Sequence, residues 1–393
     1  MESACKRESV VGILANPESG RDIRRLVASA TVFQVAEKSN MVVRILLGLA
    51  AAGVSRAVMM PDKGGIAARV IQACDLHRAV SSCPLPELTF LDMPIQGTSQ
   101  DTLRAVPLMR DMGASVIVVL GGDGTHRLVA KVCGQTPMVT LSTGTNNCFP
   151  EFREATIAGM AAGLVASGSV PQQDVNRANK ALVLEMNGQP VDLALVDLCV
   201  TDDSCIGARA LWTPQNLKEL FVTMASADAI GLSAVAGQLQ PVDRKAAYGL
   251  HLTLAPPDGL LSEVLSPIAP GLLLPVAVSN LKRIYPGKSI AVTTAAGTIA
   301  LDGEREVSFG PSDRAAVRLI MEGPITIDVG AVMAEAAKYG CFTHHNCPAL
   351  ATLIPRYHPA PANPPDKQSV TDEGQGTGTI TDQPTKEEVW RLN

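Results

Sequence analysis

Three times in the first 150 residues, an apolar run of strand length ends in a loop of small and polar residues. The stretches are ILANPESGRD (Ile13–Asp22), VIVVLGGDGT (Val116–Thr125) and MVTLSTGTNN (Met138–Asn147). Between them the pattern alternates. Strands are expected at Val10–Ala15, Ala57–Met60, Leu88–Met93, Val116–Leu120 and Met138–Ser142. Helices are expected at Asp22–Glu37, Met41–Ala52, Lys63–Cys74, Ser99–Met112 and His126–Cys133. Short buried strands separated by helices give parallel strands with crossover connections, a doubly wound α/β domain. In such a sheet, ligands meet the loops at the carboxyl ends of the strands.

After about residue 175 the pattern turns β-rich. Strands are expected at Ala181–Met186, Val191–Val200, Ala247–Leu254, Leu272–Val278, Ser289–Thr294, Thr298–Leu301, Ala316–Met321 and Ile325–Val329, with a helix at Pro214–Ala227. NG, GK and DG turns separate several of them, which fits a β-sandwich. The expected organisation is an α/β domain over 9–165, a β-sandwich over 175–329, a helix at 330–345 packing back on the first domain, and a loosely attached tail over 356–393, rich in Pro, Thr, Gly, Asp and Gln.

Composition limits what such a chain does. Apolar content of 46% and charged content of 18% are those of a globular protein, and a net charge of −5 gives no general attraction to nucleic acid or anionic membrane. Aromatic residues make up only 3%, which argues weakly against a base-stacking surface. The apolar stretches Met41–Gly53 and Gly271–Ser279 are short and interrupted by Arg44 and Pro275, and the first residues do not resemble a signal peptide. Nine scattered cysteines fit a reduced, cytoplasmic chain. Cys341, His344, His345 and Cys347 form a local cluster that supplies three ligands in Cys-x2-His-x2-Cys spacing, one short of the usual zinc set; packing is the competing reading.

The strand-end loops carry the chemistry. In Gly121-Gly122-Asp123-Gly124-Thr125 the glycines let a ligand approach the backbone, and the helix that follows offers free N–H groups to a phosphate. Asp123 there can orient or deprotonate a hydroxyl or hold a metal; it can also serve as a cap in a tight turn. Thr143, Gly144, Asn146 and Asn147 follow the next strand, and Asn16, Ser19 and Gly20 follow the first, so the sheet brings all three loops to one edge. Caps and turns account for each loop singly, though less well for three together.

The motifs NPESG, GGDGT and GTNN resemble those of the NAD kinase, diacylglycerol kinase and sphingosine kinase superfamily, whose members join an α/β domain to a β-sandwich around one active site. GGDGTHR with GTNNCFP is most similar to the ATP-NAD kinase-like branch that includes the acetoin catabolism protein X family. The resemblance covers about residues 9–345. It implies that Asp123 lies near the reacting hydroxyl, that Asn16, Ser19, Gly20, Gly121, Gly122, Gly124 and Thr125 hold the donor's phosphates, and that Thr143–Asn147 line the same cleft. It implies an ATP-dependent kinase with Mg²⁺ and with NAD(H) or a related small molecule as acceptor; homo-oligomers are common in the family. Acceptor-side candidates are Asp197, Ser233, Asp302, Glu304 and His126. ALVD at Ala194–Asp197 keeps the aspartate of the NAD kinase strand but has Val196 for its asparagine, and GLSAVAG at Gly231–Gly237 has Ala236 for a glycine. These departures put NAD as acceptor in question. A nucleotide-binding accessory protein without turnover, and a lipid kinase, are the alternatives.

Three of these residues have a competing structural reading. Asp302-Gly303 is also a type I′ hairpin signal. Asp197 fits a solvent-facing strand position, and His126 an exposed first helical turn. Arg21, Arg127 and Lys131 are the cations nearest the loops in sequence.

Overall fold

The computed structural model describes residues 9–20, 33–81, 83–144, 147–203, 216–254 and 261–343. The first part alternates as expected: β1 (Val10–Ala15), α1 (Val35–Ala51), β2 (Arg56–Met59), α2 (Ile66–Val80), β3 (Glu87–Phe90), α3 (Ser99–Asp111), β4 (Ala114–Gly121), α4 (Asp123–Val132), β5 (Met138–Ser142) and α5 (Ala155–Ala166). The strands lie in the order β3-β2-β1-β4-β5, all parallel. On one face Ile45 and Leu49 of α1, Val70 of α2 and Ala158 and Ala162 of α5 bury the sheet; on the other, Val106 and Met109 of α3 and Val129 of α4 do so. Strand order reverses between β1 and β4, which opens a crevice at their carboxyl ends.

Two helix expectations change here. Residues 21–32 lie outside the described residues, and from Val35 the chain runs as one helix through Ala51 rather than breaking near Asn40. Ser39, mid-helix, is accommodated because its Oγ donates back to the Val35 carbonyl at 2.8 Å. Helix α5 was not foreseen. Its sequence ATIAGMAAGLVA is apolar all round, so no periodic stripe marks it, and it is buried between α1 and the sheet.

The chain then passes through α6 (Gln172–Val175) and β6 (Asn176–Ala178) into β7 (Ala181–Met186), β8 (Gln189–Ala194), β9 (Asp197–Thr201), β10 (Leu217–Val222), α7 (Ser233–Leu239), β11 (Gly249–Leu254), β12 (Ser262–Ala269), β13 (Leu272–Ile284), β14 (Ser289–Ala291), β15 (Gly297–Leu301), β16 (Glu304–Phe309), β17 (Ala315–Ile320), β18 (Ile325–Ile327) and α8 (Val329–Lys338). Two sheets of order β12-β13-β11-β10-β9-β15-β16 and β14-β17-β7-β8 face each other across Leu182, Leu184, Leu198, Phe221, Ile299 and Val317. The fold is thus mixed α/β, with a parallel sheet followed by antiparallel sheets, as expected. Asn187-Gly188 and Asp302-Gly303 both adopt left-handed φ, 53° and 80°, and 51° and 80°, as type I′ turns require.

One helix and two strand expectations are corrected. The helix expected at Pro214–Ala227 is instead strand β10 over Leu217–Val222, between β9 and β11; residues 204–215 lie outside the described residues. A central strand buried on both faces spaces Leu217, Leu220 and Phe221 like a helical stripe. The single strand expected at Val191–Val200 is two, β8 and β9, in different sheets. The strand expected at Ile325–Val329 forms over Ile325–Ile327 and joins the first sheet, parallel to β5, with β6 antiparallel beside it. Val332 and Ala336 of α8 enter the core shared by α1 and α5. Among the described residues no helix is long and apolar enough to cross a membrane. The tail over 356–393, with His344, His345 and Cys347, lies outside the described residues.

Candidate active site

The loops after β1 and β4 are tied together at the crevice. The Asn16 amide N–H donates to the Leu120 carbonyl at 3.0 Å, and Asn16 Nδ2 donates to Thr125 Oγ1 at 2.8 Å. Asn16 Oδ1 accepts the Glu18 N–H at 2.9 Å, while Ser19 Oγ donates to the Asn16 carbonyl at 3.0 Å and bonds Thr143 Oγ1 at 2.8 Å. Three loops from three strands are therefore cross-linked by side chains. Gly121 is required by close approach, since a Cβ there would stand 2.5 Å from the Thr125 side chain. Gly20 adopts φ +76°, the left-handed region that glycine favours.

Helix α4 starts at Asp123 with Gly122 at its N-cap, and no N-cap side chain bonds its first N–H groups. Its N–H ends and dipole therefore favour an anion. The Asp123 carboxylate is 7% exposed and accepts the backbone N–H of Cys148 at 3.0 Å and of Phe149 at 2.8 Å. These bonds fix its direction from the neighbouring loop. By contrast, α2 and α3 carry their own acidic caps. Asp62 accepts from Ile66 and Ala67, and Asp101 closes a capping box with Thr98. Burial acts to raise the Asp101 carboxyl, but the N–H groups of Gln96, Gly97 and Thr98, with Arg104, hold it below its ordinary value.

These groups surround a cavity of about 650 Å³. Of the phosphate-side candidates, Asn16, Ser19, Gly20, Gly122, Asp123, Gly124, Thr125, Gly144 and Asn147 line it. Gly121 and Thr143 support the wall from behind, and Asn147 Nδ2 donates to Ser142 Oγ at 2.6 Å. Arg21 and Asn146 lie outside the described residues. The second domain adds Asp302, Glu304 and Glu306 to the wall.

Asp302 lines the cavity and also forms the hairpin turn. It sits in the β15–β16 turn, yet its carboxylate reaches the chain crossing between β8 and β9. There it accepts the N–H groups of Leu195 at 3.0 Å, Val196 at 2.7 Å and Asp197 at 3.2 Å. Burial pushes its carboxyl up, against the pull of Arg127 and these three N–H groups.

Three acceptor-side candidates lie elsewhere. Asp197 and Ser233 are buried outside the cavity wall, around the Cys148 thiol. Ser233 Oγ is 3.2 Å from Cys148 Sγ, and burial together with Asp123, Asp197 and Asp302 pushes that thiol up to about 12. Asp197 is therefore not the solvent-facing residue that strand alternation allowed. His126 is not exposed and does not line the cavity: it is fully buried, Nδ1 bonds the Gly122 carbonyl at 2.8 Å, and its ring tilts against Phe149. Burial lowers its pKa to about 4, despite the Gly122 and Val119 carbonyls, so the imidazole is neutral.

The cations differ from expectation as well. Arg127 is 2% exposed and lines the cavity, but its guanidinium bonds Asp192 at 3.1 Å and Glu306 at 3.0 Å, with Lys131 on Asp192 at 3.0 Å. It clamps α4 to β8 and β16 more than it offers a free charge. Lys38, an ordinary residue in the sequence, is fully buried behind the Asn16–Ser19 loop. Its Nζ donates to the carbonyls of Asn16 at 3.0 Å, Pro17 at 2.9 Å and Ser19 at 2.8 Å. Arg244 donates to the Phe149 carbonyl at 2.5 Å and lies over that ring. Only the contacts made in the fold single out Lys38 and Arg244.

A parallel sheet with its glycine-rich crevice, followed by a sandwich, is the NAD kinase-like two-domain fold. Residues 11–170 match the family model of the ATP-NAD kinase N-terminal domain, and residues 180–322 that of the acetoin catabolism protein X C-terminal domain. The acetoin catabolism protein X of Cupriavidus necator is 45% identical over 335 residues, 84% of this chain and 93% of that protein. The chain belongs to the acetoin catabolism protein X family.

Proposed function

We propose that this protein transfers the terminal phosphoryl group of ATP, taken up as its Mg²⁺ complex, to a hydroxyl of a small molecule, with NAD(H) the first acceptor to test. The observation that carries this reading is Asp123. One helical turn presents an uncapped N-terminus, suited to phosphate, and a carboxylate aimed by two backbone N–H groups. The Asn16–Thr125 bond sets the first loop beside it. The cavity has the size of a small-molecule site.

In this reading the backbone of Gly122–Thr125 and of the Asn16–Gly20 loop holds the phosphates. Asp123 orients the acceptor hydroxyl and takes its proton on a carboxylate oxygen. Among the described residues no group of three His, Cys, Asp or Glu side chains is arranged to hold a metal. In this reading magnesium arrives on the nucleotide's phosphates, as is usual for this ion.

One observation favours a second reading, a nucleotide-binding accessory protein in acetoin catabolism without turnover. Val196 is 1% exposed in the apolar cluster under α3 and α4, so the strand crossing offers a dinucleotide no polar side chain there. The test is purified protein with ATP, Mg²⁺ and a panel of NAD, NADH, small hydroxylated acceptors and diacylglycerol, read by ADP release and product mass. Acceptor-dependent ADP release supports the kinase. Stabilisation by ATP with no phosphorylated product from any acceptor supports the accessory protein.

A further inference from the structure

We infer that Lys38 is the positioning residue that makes the Asn16–Gly20 loop a phosphate-binding loop; this rests on the phosphotransferase reading above. A trans peptide unit is planar, with its C=O and N–H pointing in opposite directions. Lys38, which is fully buried and does not line the cavity, gathers the carbonyls of Asn16, Pro17 and Ser19 at its Nζ. The N–H groups of the same units must then face the other way. The Asn16–Pro17 unit has none to offer, because proline lacks the hydrogen. The N–H of Glu18 is taken by Asn16 Oδ1. The N–H of Gly20, in the unit whose carbonyl Lys38 holds at 2.8 Å, is thereby turned away from Lys38, and Gly20 lines the cavity.

Charge points the same way. Among the described residues the cavity wall carries Glu18, Asp62, Asp101, Asp123, Asp302, Glu304 and Glu306 against Lys63 and Arg127, and Arg127 is bound to Asp192 and Glu306. A polyphosphate entering this wall needs positive potential near the first loop, and Lys38 supplies it through the backbone that it holds. The residue stands in the first turns of α1, where a helix disfavours a cation, so the position is not one that helix formation alone selects.

The full chain is titrated calorimetrically with inorganic tripolyphosphate and with ATP, as wild type, Lys38→Gln, Lys38→Met and Lys38→Arg, with thermal unfolding of each. The neutral variants should bind both ligands about tenfold more weakly or worse, measured well below their melting points, and Lys38→Arg should recover most of the loss. A residue that only braces the loop would lower the melting point and leave the affinity of the folded protein unchanged; that result overturns the inference while the phosphotransferase reading stands. If the wild type binds neither ligand, both fall together. Should the neutral variants fail to fold, hydrogen exchange of the wild type decides. Protection of residues 16–20 by tripolyphosphate supports the inference, and protection confined to 121–126 overturns it.

Discussion

The two walls of the cavity use the same residue types for different purposes. On the α/β wall, Asn16, Ser19 and Thr125 bond from loop to loop, and Asp123 stands at the head of a helix whose first turn has no side-chain cap. On the β wall, Asp302 is also an aspartate at a turn, but its oxygens hold three successive N–H groups where the chain leaves one sheet for another. Arg127 joins the walls by pairing with carboxylates of the second domain. Both carboxylates accept backbone N–H groups of another segment; what separates them is that Asp123 heads a helix at the crevice whereas Asp302 ties a turn to the crossing between two sheets.

Substitutions separate the two walls. Asp123→Asn should lower kcat of the phosphotransfer by about 10³-fold with little change in ATP affinity, as removal of a general base does; a rate within a few-fold of wild type breaks the assignment. Asp302→Ala should cost about 3–4 kcal/mol of unfolding free energy by urea titration, since it strands three buried N–H groups and places alanine at φ 51°. Its effect on nucleotide affinity in the folded fraction should be small, and a large one would move Asp302 to the chemical side.

His126 gives a third contrast through pH. Its folded pKa of about 4 lies below its ordinary 6.5, so the unfolded chain binds the extra proton. The stabilisation is complete above pH 6.5 and is lost as pH falls toward 4. It amounts to about 3 kcal/mol over that window. Urea unfolding of wild type and His126→Gln at several pH values checks this: the variant should lose that part of the slope. The smallest effect is Asn16→Ala, about 1 kcal/mol in stability. Its loss of nucleotide affinity, by contrast, should be about tenfold, the opposite ratio to Asp302.

The same division decided what the sequence could reveal. Strand-end loops are legible because their geometry demands residue types: glycine at Gly121 for a close approach, and short polar side chains at Asn16, Ser19 and Thr125 to bridge loops. The Asp302-Gly303 turn is legible for the same local reason, but the target of its carboxylate is not, because Leu195 lies more than a hundred residues away. His126 and Lys38 look like surface residues from their neighbours in the chain; their burial is set by Phe149 and by the Asn16–Ser19 loop, which packing alone brings near. The burial of Glu219 in β10 is hidden for a related reason. A carboxylate inside a central strand is tolerated because His251 at 2.9 Å and the backbone of Thr293 at 2.7 Å satisfy it, and neither is a near neighbour in sequence.

The return of β18 to the first sheet has a consequence for synthesis. Strands β6 and β18 complete that sheet beyond β5, and β18 is made only after every strand of the sandwich. While the chain is emerging from a ribosome, the Met138 end of the β5 edge therefore lacks its neighbour until residue 327 is available, although Ser142 at the other end already donates to the Glu151 carbonyl at 2.9 Å. An open edge is a template for another chain. A nascent chain that stalls, or is cut, just after β17 would keep its glycine-rich loops and yet be prone to join its neighbours edge to edge.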